Sequence, residues 1–336
     1  LRKGVKIIYI YIYIIYVYIY VMHKKMLKNS MLSYIILVVV AVVLVIVMVM
    51  FMVVMFSKSQ SQSKSKSKTS AYFMPKTIWV YWDNAELPKL IDLIKENNAT
   101  KLQGWEIIYL NESNIDNYIS KDVYPKKFNT LSIQHKADWI RLYLLKKYGG
   151  TWLDASIIIN DNKALDKLYN DSIKIQSQFT GFNFKNYESG SFSNNGVPLY
   201  VENWFIMVPI NSVVIDLWLI QYERAIQMGF QNYKKLLYDE KIDTSKIYPK
   251  TNGVYLTQHA CLQYVFQKQL DFSSVPMIIL PAENDMLKIR FECKLNDQCT
   301  MNTIKNTGDE ARKLPYIKLV KGERNTGIDI SNYFQR

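Results

Sequence analysis

No Asp or Glu precedes Asp83 in this chain of 336 residues, although Lys and Arg occur throughout. Of the net charge of +13, ten positive charges come from Arg2, Lys3, Lys6, Lys24, Lys25, Lys28, Lys58, Lys64, Lys66 and Lys68, leaving +3 for the remainder. A near-neutral remainder lacks the basic surface that phosphate backbones select, so nucleic acid is excluded as a partner. Cysteine is equally scarce. Cys261, Cys293 and Cys299 contain no C-x-x-C pair, which excludes a disulfide framework and a thiolate zinc site. Cys293 and Cys299 could close a short loop in an oxidising compartment, but buried free thiols are the favoured reading. His23, His135 and His259 are the only histidines and form no H-E-x-x-H motif. The chain also lacks G-x-G-x-x-G, the G-x-x-x-x-G-K loop and the G-x-S-x-G elbow. These absences remove the commonest dinucleotide, nucleoside-triphosphate and hydrolase readings.

What is present begins with apolar residues. Residues 31–56 form an uncharged run of Val, Ile, Leu and Met with Ser33 as its one plainly polar member. At about 1.5 Å per residue such a run crosses a hydrocarbon core of roughly 30 Å, so a transmembrane helix is expected. A signal peptide would carry an apolar region about half as long. Residues 5–22 alternate Tyr with Ile or Val, as alternating TAT and ATA codons would encode. A translated AT-rich repeat upstream of a start at Met22 or Met26 is ranked above a second membrane segment. Lysines flank 31–56 on both sides, so charge bias favours neither orientation. Residues 57–70, almost wholly Ser, Lys and Gln, cannot bury apolar surface and read as a solvated tether. The expected organisation is a low-complexity and basic segment at 1–30, an anchor at 31–56, a linker at 57–71 and a globular domain at 72–336.

That domain alternates strand and helix signals. Residues 77–82 and 105–110 are short β-prone runs, and 87–97 carry Leu90, Ile91, Leu93 and Ile94 at helical spacing. Residues 113–121 read as a short helix. Residues 132–148 are the clearest helix, with Ile133, Ala137, Ile140, Leu144 and Leu145 as its apolar face and Gly149-Gly150 as its stop. A strand at 151–153 leads to Asp154, and 157–159 continue as a buried run. A second long helix is expected at 211–228, with Val213, Val214, Leu217, Trp218 and Ile220 largely inward. The predicted fold is α/β, with a mainly parallel sheet flanked by helices. Ligands in such sheets bind beyond the carboxyl ends of the strands, where Asp83 and Asp154 would both lie.

Asp138 and Arg141 stand three residues apart on one helix face, and the glycine pair then delivers Asp154. Two carboxylates and a guanidinium would converge. Sugar transfer from a nucleotide donor needs such groups, because the departing diphosphate gathers negative charge that a cation must hold. Each residue alone is more often a surface ion pair or a strand-ending Asp. The joint spacing favours a site.

Residues 135–159, His-Lys-Ala-Asp-Trp-Ile-Arg-Leu-Tyr-Leu-Leu-Lys-Lys-Tyr-Gly-Gly-Thr-Trp-Leu-Asp-Ala-Ser-Ile-Ile-Ile, resemble the signature of capsular polysaccharide synthesis proteins. More distantly they resemble the Asp-x-Asp glycosyltransferases, among them yeast outer-chain mannosyltransferases and large clostridial glucosylating toxins. Pro75-Lys76-Thr77-Ile78-Trp79, Tyr81-Trp82-Asp83, Glu202-Asn203-Trp204-Phe205, Tyr255-Leu256-Thr257-Gln258-His259-Ala260 and Tyr316-Ile317-Lys318-Leu319 agree with it. The resemblance implies a GT-A-like fold, a nucleotide-sugar donor, a glycan acceptor, Mn²⁺ or Mg²⁺, and retention of anomeric configuration. It also implies that Asp138 contacts sugar hydroxyls, Arg141 the sugar or diphosphate, and Asp154 the metal and ribose. Trp79, Tyr81 or Trp82, beside Asp83, would pack on the base. Glu202 and Asn203 would touch sugar or acceptor, although a capping Asn and a surface Glu are an equal alternative. His259 would reach the diphosphate or metal, against the commoner reading of a packed histidine. In Asp154-Ala155-Ser156 a hydroxyl replaces the second acid of many relatives, and Ser156 could bind a hard cation only weakly. The rival function is a glycan- or nucleotide-sugar-binding protein that keeps the fold without turnover.

Overall fold

The structure is a computed structural model that describes residues 72–184, 196–248 and 253–335. The expected anchor at 31–56 lies outside them, and no helix among the described residues is long and apolar enough to cross a membrane. Strands β1 (Thr77–Tyr81), β2 (Glu106–Leu110), β3 (Gly150–Leu153), β4 (Ile157–Ile159), β5 (Phe179–Asn183), β6 (Val201–Val208), β7 (Met277–Pro281) and β8 (Tyr316–Lys318) build two sheets. The larger has the order β2-β1-β3-β6-β5-β7, and β4 pairs with β8 in the smaller. β1 is parallel to β2 and β3, and β5 is parallel to β7. β6 is antiparallel to both of its neighbours, so it alone runs against the rest. The mainly parallel α/β architecture expected from the sequence is thus present. The run at 157–159 is buried as expected and lies outside the main sheet, paired with β8.

Helices α1 (Lys89–Lys101), α2 (Ile133–Tyr148), α3 (Asn162–Lys174), α4 (Val213–Met228), α5 (Phe230–Asp239) and α6 (Thr257–Tyr264) cover the sheet. Strand side chains alternate between faces. Trp79, Tyr81, Trp152 and Ile206 pack on one side against Ile140, Leu144 and Leu145 of α2 and Trp218 and Tyr222 of α4. Ile78, Val80, Leu153 and Met207 pack on the other against Leu165 and Leu168 of α3. Both faces being buried explains why these strands read as nearly continuous apolar runs.

Several local expectations are corrected. Residues 113–121 form two 3₁₀ turns, Ile115–Asn117 and Lys121–Val123, instead of one helix. Side-chain oxygens compete with the helical ladder there: Asn111 N donates to Asn114 Oδ1 and Ser113 N donates to Asn111 Oδ1. Ile133 is half exposed because it stands in the first turn of α2 at a cleft. Val213 and Ile220, seven residues apart, share the solvent stripe of α4. Cys293 and Cys299 are joined in a disulfide and Cys261 is free and buried, reversing the favoured reading of free thiols for the pair. Asn98, part of an N-x-T sequence, is buried with its amide bonded to Ile157 O and Ile159 N.

Candidate active site

The path from α2 to β3 explains the spacing of Asp138, Arg141 and Asp154. From Arg141 to Gly149 the helix falls by about 12 Å at 1.5 Å per residue. From Gly150 to Asp154 the strand climbs back about 13 Å. Ser132 caps the start of α2 by accepting from His135 N. At the far end Gly149 and Gly150 have φ values of +64° and +91°. A Cβ there would lie 2.7 Å from Ile210 N and 2.6 Å from Thr77 O, respectively. Only glycine fits this turn on both counts.

β1 and β3 are parallel neighbours, so Asp83 and Asp154 leave the sheet at the same edge. β6 starts there because it is antiparallel to β3, with Leu153 opposite Phe205 and Asp154 N donating to Trp204 O. Glu202 and Asn203 therefore meet Asp154 across the rim. These residues line one cleft of about 770 Å³, together with Tyr81, Trp82, Asp138, Arg141, Ser156, Tyr255, His259, Lys318 and Arg324. A smaller crevice beside it shares Trp82 and Asp154.

Arg141 joins the two carboxylates: Nη1 donates to Asp138 Oδ1 at 2.8 Å and Nη2 to Asp154 Oδ1 at 3.3 Å. Its guanidinium also lies 4.9 Å from the Trp152 ring centroid, and Trp152 Nε1 donates to Asp154 Oδ1 at 2.9 Å. Gln258 ties the far side, accepting from Arg141 Nη1 and donating to Asp138 O at 2.6 Å. Asn203 Nδ2 donates to both Gln258 Oε1 and Asp138 Oδ1. Tyr222 completes the shell around Asp138 Oδ2 and His135. The cluster is held from five elements, so its geometry exists before any ligand arrives.

Lys318 dominates the other side of Asp154. Its Nζ donates to Asp154 Oδ2 at 2.9 Å and to Ser156 Oγ at 2.7 Å, with 7 % of the side chain exposed. Burial alone would raise the Asp154 carboxyl, but Lys318, Arg141 and the Trp152 hydrogen bond outweigh it and hold it below its ordinary value. Burial pulls Lys318 below the usual lysine range while Asp154 opposes it.

The three side chains that the resemblance offers as metal ligands are thus already committed or separated in kind. Asp154 and Ser156 share one ammonium, and His259 faces Glu202, with Nε2 3.6 Å from Oε2. That separation is too long for a hydrogen bond, and both ring nitrogens of His259 are buried without a partner. Among the described residues no group of three or more His, Cys, Asp or Glu side chains could hold a metal ion. A divalent ion here would have to displace the Lys318 ammonium from Asp154 and Ser156 and would keep a single protein carboxylate, so the donor set does not fit one.

Of the aromatic residues expected at a base, Tyr81 and Trp82 line the cleft and Trp79 does not. Trp79 is buried on the α2 side of β1, where its Nε1 donates to Gly149 O at 2.9 Å. The sequence motifs contained Gln258, Tyr255 and Lys318 but gave them no role, and Arg324 went unnoticed. A lysine between Ile317 and Leu319 in a short apolar strand was the available signal, since a buried ammonium requires a partner.

The model of the capsular polysaccharide synthesis protein family matches residues 49–307, more than half of the chain. The O-glycosyltransferase braB of Annulohypoxylon truncatum is 29 % identical over 94 residues, covering 24 % of this chain and 22 % of that protein. The match therefore spans less than a quarter of that relative. Among solved structures, a glycosyltransferase involved in the glycosylation of the major capsid of PBCV-1 aligns with a TM-score of 0.36 and 10 % identity. That alignment covers 77 % of this chain and 98 % of the other. The PaToxG glycosyltransferase aligns with a TM-score of 0.31 and 15 % identity over 60 % and 83 % of the two chains. No fold assignment rests on either score. With the sequence signature at 135–159 folded into one cleft and the family model matching across it, the chain belongs to the capsular polysaccharide synthesis protein family.

Proposed function

We propose that this protein is a glycosyltransferase that moves a hexose from a nucleotide sugar to a glycan acceptor. The observation that carries the reading is the convergence of Asp138, Arg141 and Asp154 in the cleft at the carboxyl ends of β1 and β3, in a chain of this family. The architecture is in keeping with a GT-A-like fold. Asp138 orients sugar hydroxyls, Arg141 and Asp154 fix the sugar and ribose, and Tyr81 and Trp82, with Asp83, receive the base. Glu202, Asn203 and His259 face the sugar or the acceptor. His259 lines the cleft with Tyr200 against its ring and Glu202 Oε2 3.6 Å from its Nε2, so it backs Glu202 at the cleft wall.

The transfer breaks the bond between the sugar C1 and the diphosphate, whose oxygen keeps the electron pair, and forms a bond from C1 to the acceptor oxygen. Asp138 and Asp154 are engaged by cations, so a donor phosphate oxygen takes the acceptor proton, which accords with retention. Metal assistance is left out of this reading because the donor set does not fit it. The apolar run at 31–56 supports a single-pass anchor preceding the catalytic domain.

The test is release of nucleoside diphosphate from UDP- and GDP-hexoses by the full-length chain. A rate from at least one donor that falls at least 100-fold in Asp138→Asn is expected. No release from any donor would favour the second reading, a nucleotide-sugar-binding protein without turnover, which the neutralised Asp154–Lys318 pair also permits.

A further inference from the structure

Lys318 is placed by its backbone as well as by its charge. β8 pairs antiparallel with β4, setting Lys318 opposite Ile157. Lys318 N donates to Met286 O at 2.8 Å and Leu319 N to Ser156 O at 3.0 Å. Nζ lies in the gap between Asp154 and Ser156. A divalent ion in that gap would meet one carboxylate, one hydroxyl already bonded to the ammonium, and the repulsion of the ammonium itself. One carboxylate beside a neutral hydroxyl needs a single positive charge for balance, and Lys318 supplies it.

Arg324 stands near this pair in the same cleft. Its guanidinium lies 5.5 Å from the Trp82 ring centroid and makes no ion pair with a carboxylate among the described residues. Burial lowers its pKa, with Asp154 and Tyr255 opposing. Among the described residues no hydrogen bond from its guanidinium is found, whereas Arg290 Nη1 donates to both Asp297 and Glu323.

We propose that Lys318 is the built-in cation of the donor site, that with Arg324 it holds the diphosphate of the nucleotide sugar, and that donor binding and transfer need no divalent metal. The inference rests on the glycosyl-transfer reading above. As the C1–oxygen bond breaks, the electron pair settles on the diphosphate, and two fixed cations stabilise that charge without reorganisation. Arg324 offers a planar fork for two phosphate oxygens, and Lys318 a point charge.

The experiment is calorimetric titration of the full-length chain with UDP and with GDP, in EDTA and in Mn²⁺, alongside electron paramagnetic resonance of added Mn²⁺. The expected result is binding of at least one diphosphate with affinities within twofold in the two conditions, and a Mn²⁺ spectrum unchanged by protein. Lys318→Met and Arg324→Gln should each weaken that binding at least tenfold. Arg324 is half-buried and makes no ion pair among the described residues, so its variant reports on the ligand even if Lys318→Met fails to fold. Binding that is at least tenfold tighter in Mn²⁺, or Mn²⁺ bound by the protein, would overturn the metal-free inference and leave glycosyl transfer standing. Equal affinity of Arg324→Gln and wild type would overturn the role of Arg324. Absence of binding in both conditions would overturn the transfer reading and the inference with it.

Discussion

Lys318 Nζ lies 2.9 Å from Asp154 Oδ2 across 164 residues of sequence. The contact closes the cleft between the end of β3 and the end of β8. Together with the link from Arg141 to Asp138 and Asp154, it gives a row of alternating charges: Asp138, Arg141, Asp154, Lys318. Removing Arg141 leaves Asp138 without its guanidinium and removing Asp154 leaves Lys318 without its carboxylate, so the row is fragile at its two inner members.

Arg141→Met should cost about 3 kcal/mol or more of stability, because two carboxylates would share a largely buried site with no guanidinium between them. Urea unfolding monitored by circular dichroism measures it. A loss below about 1 kcal/mol would show that the carboxylates find other compensation.

Gly150→Ala should be as damaging without altering any charge. The new Cβ would meet Thr77 O at 2.6 Å, where β1 pairs with β3, and φ of +91° is strained for alanine. A fall in stability of about 2 kcal/mol or more is expected, with loss of activity in step. A fully active, equally stable variant would mean that the turn can relax.

This turn was legible in the sequence for a physical reason. Helix α2 carries its own stop and start signals, Ser132 and the glycine pair, and a 3.6-residue period. Asp154 follows at a distance set by local geometry. The apolar neighbours of Lys318 signal a buried ammonium, but its partner was not legible, because that depends on the β4–β8 pairing of two three-residue strands with no turn between them. Alternation shows that Trp79 and Tyr81 share a face but not how far along the strand the cleft begins. Trp79 and Tyr81 share the α2 side, and only Tyr81 is near enough to the strand end to reach the cleft.

Asp285 should give a pH signature. Burial pushes its carboxyl up to about 6, and its Oδ1 has no hydrogen-bond partner. The folded value lies above the ordinary 3.8, so the native state holds the extra proton between the two values. Its contribution to stability is fully present below about pH 4 and is lost as pH rises through about 6. Asp285→Asn should therefore be more stable than wild type at pH 7.5, by on the order of 1 kcal/mol, and the difference should vanish near pH 4. Melting temperatures at the two pH values check it. A variant less stable at pH 7.5 would mean that the ionised carboxylate has a partner in solution.

Reduction of Cys293–Cys299 should lower stability by about 2 kcal/mol, as expected for a short closed loop. Melting with and without dithiothreitol measures this. No shift would mean that the bridge is not formed in solution.

His259→Phe separates a ligand contact from a packing role. The substitution removes two buried ring nitrogens that have no partner, so stability should be unchanged or higher. Turnover should fall at least tenfold if the imidazole touches the sugar or the acceptor. A large loss of stability with unaltered kcat would assign His259 to the core.

The central claim is that the cleft around Asp154 transfers sugar. It is tested most directly by the single-turnover rate of nucleoside diphosphate release, measured for the full-length wild type and Asp154→Asn with the donor that wild type uses fastest. A wild-type rate that falls at least 100-fold in Asp154→Asn, with the variant still folded, is the expected result. Equal rates in the two proteins would contradict the assignment.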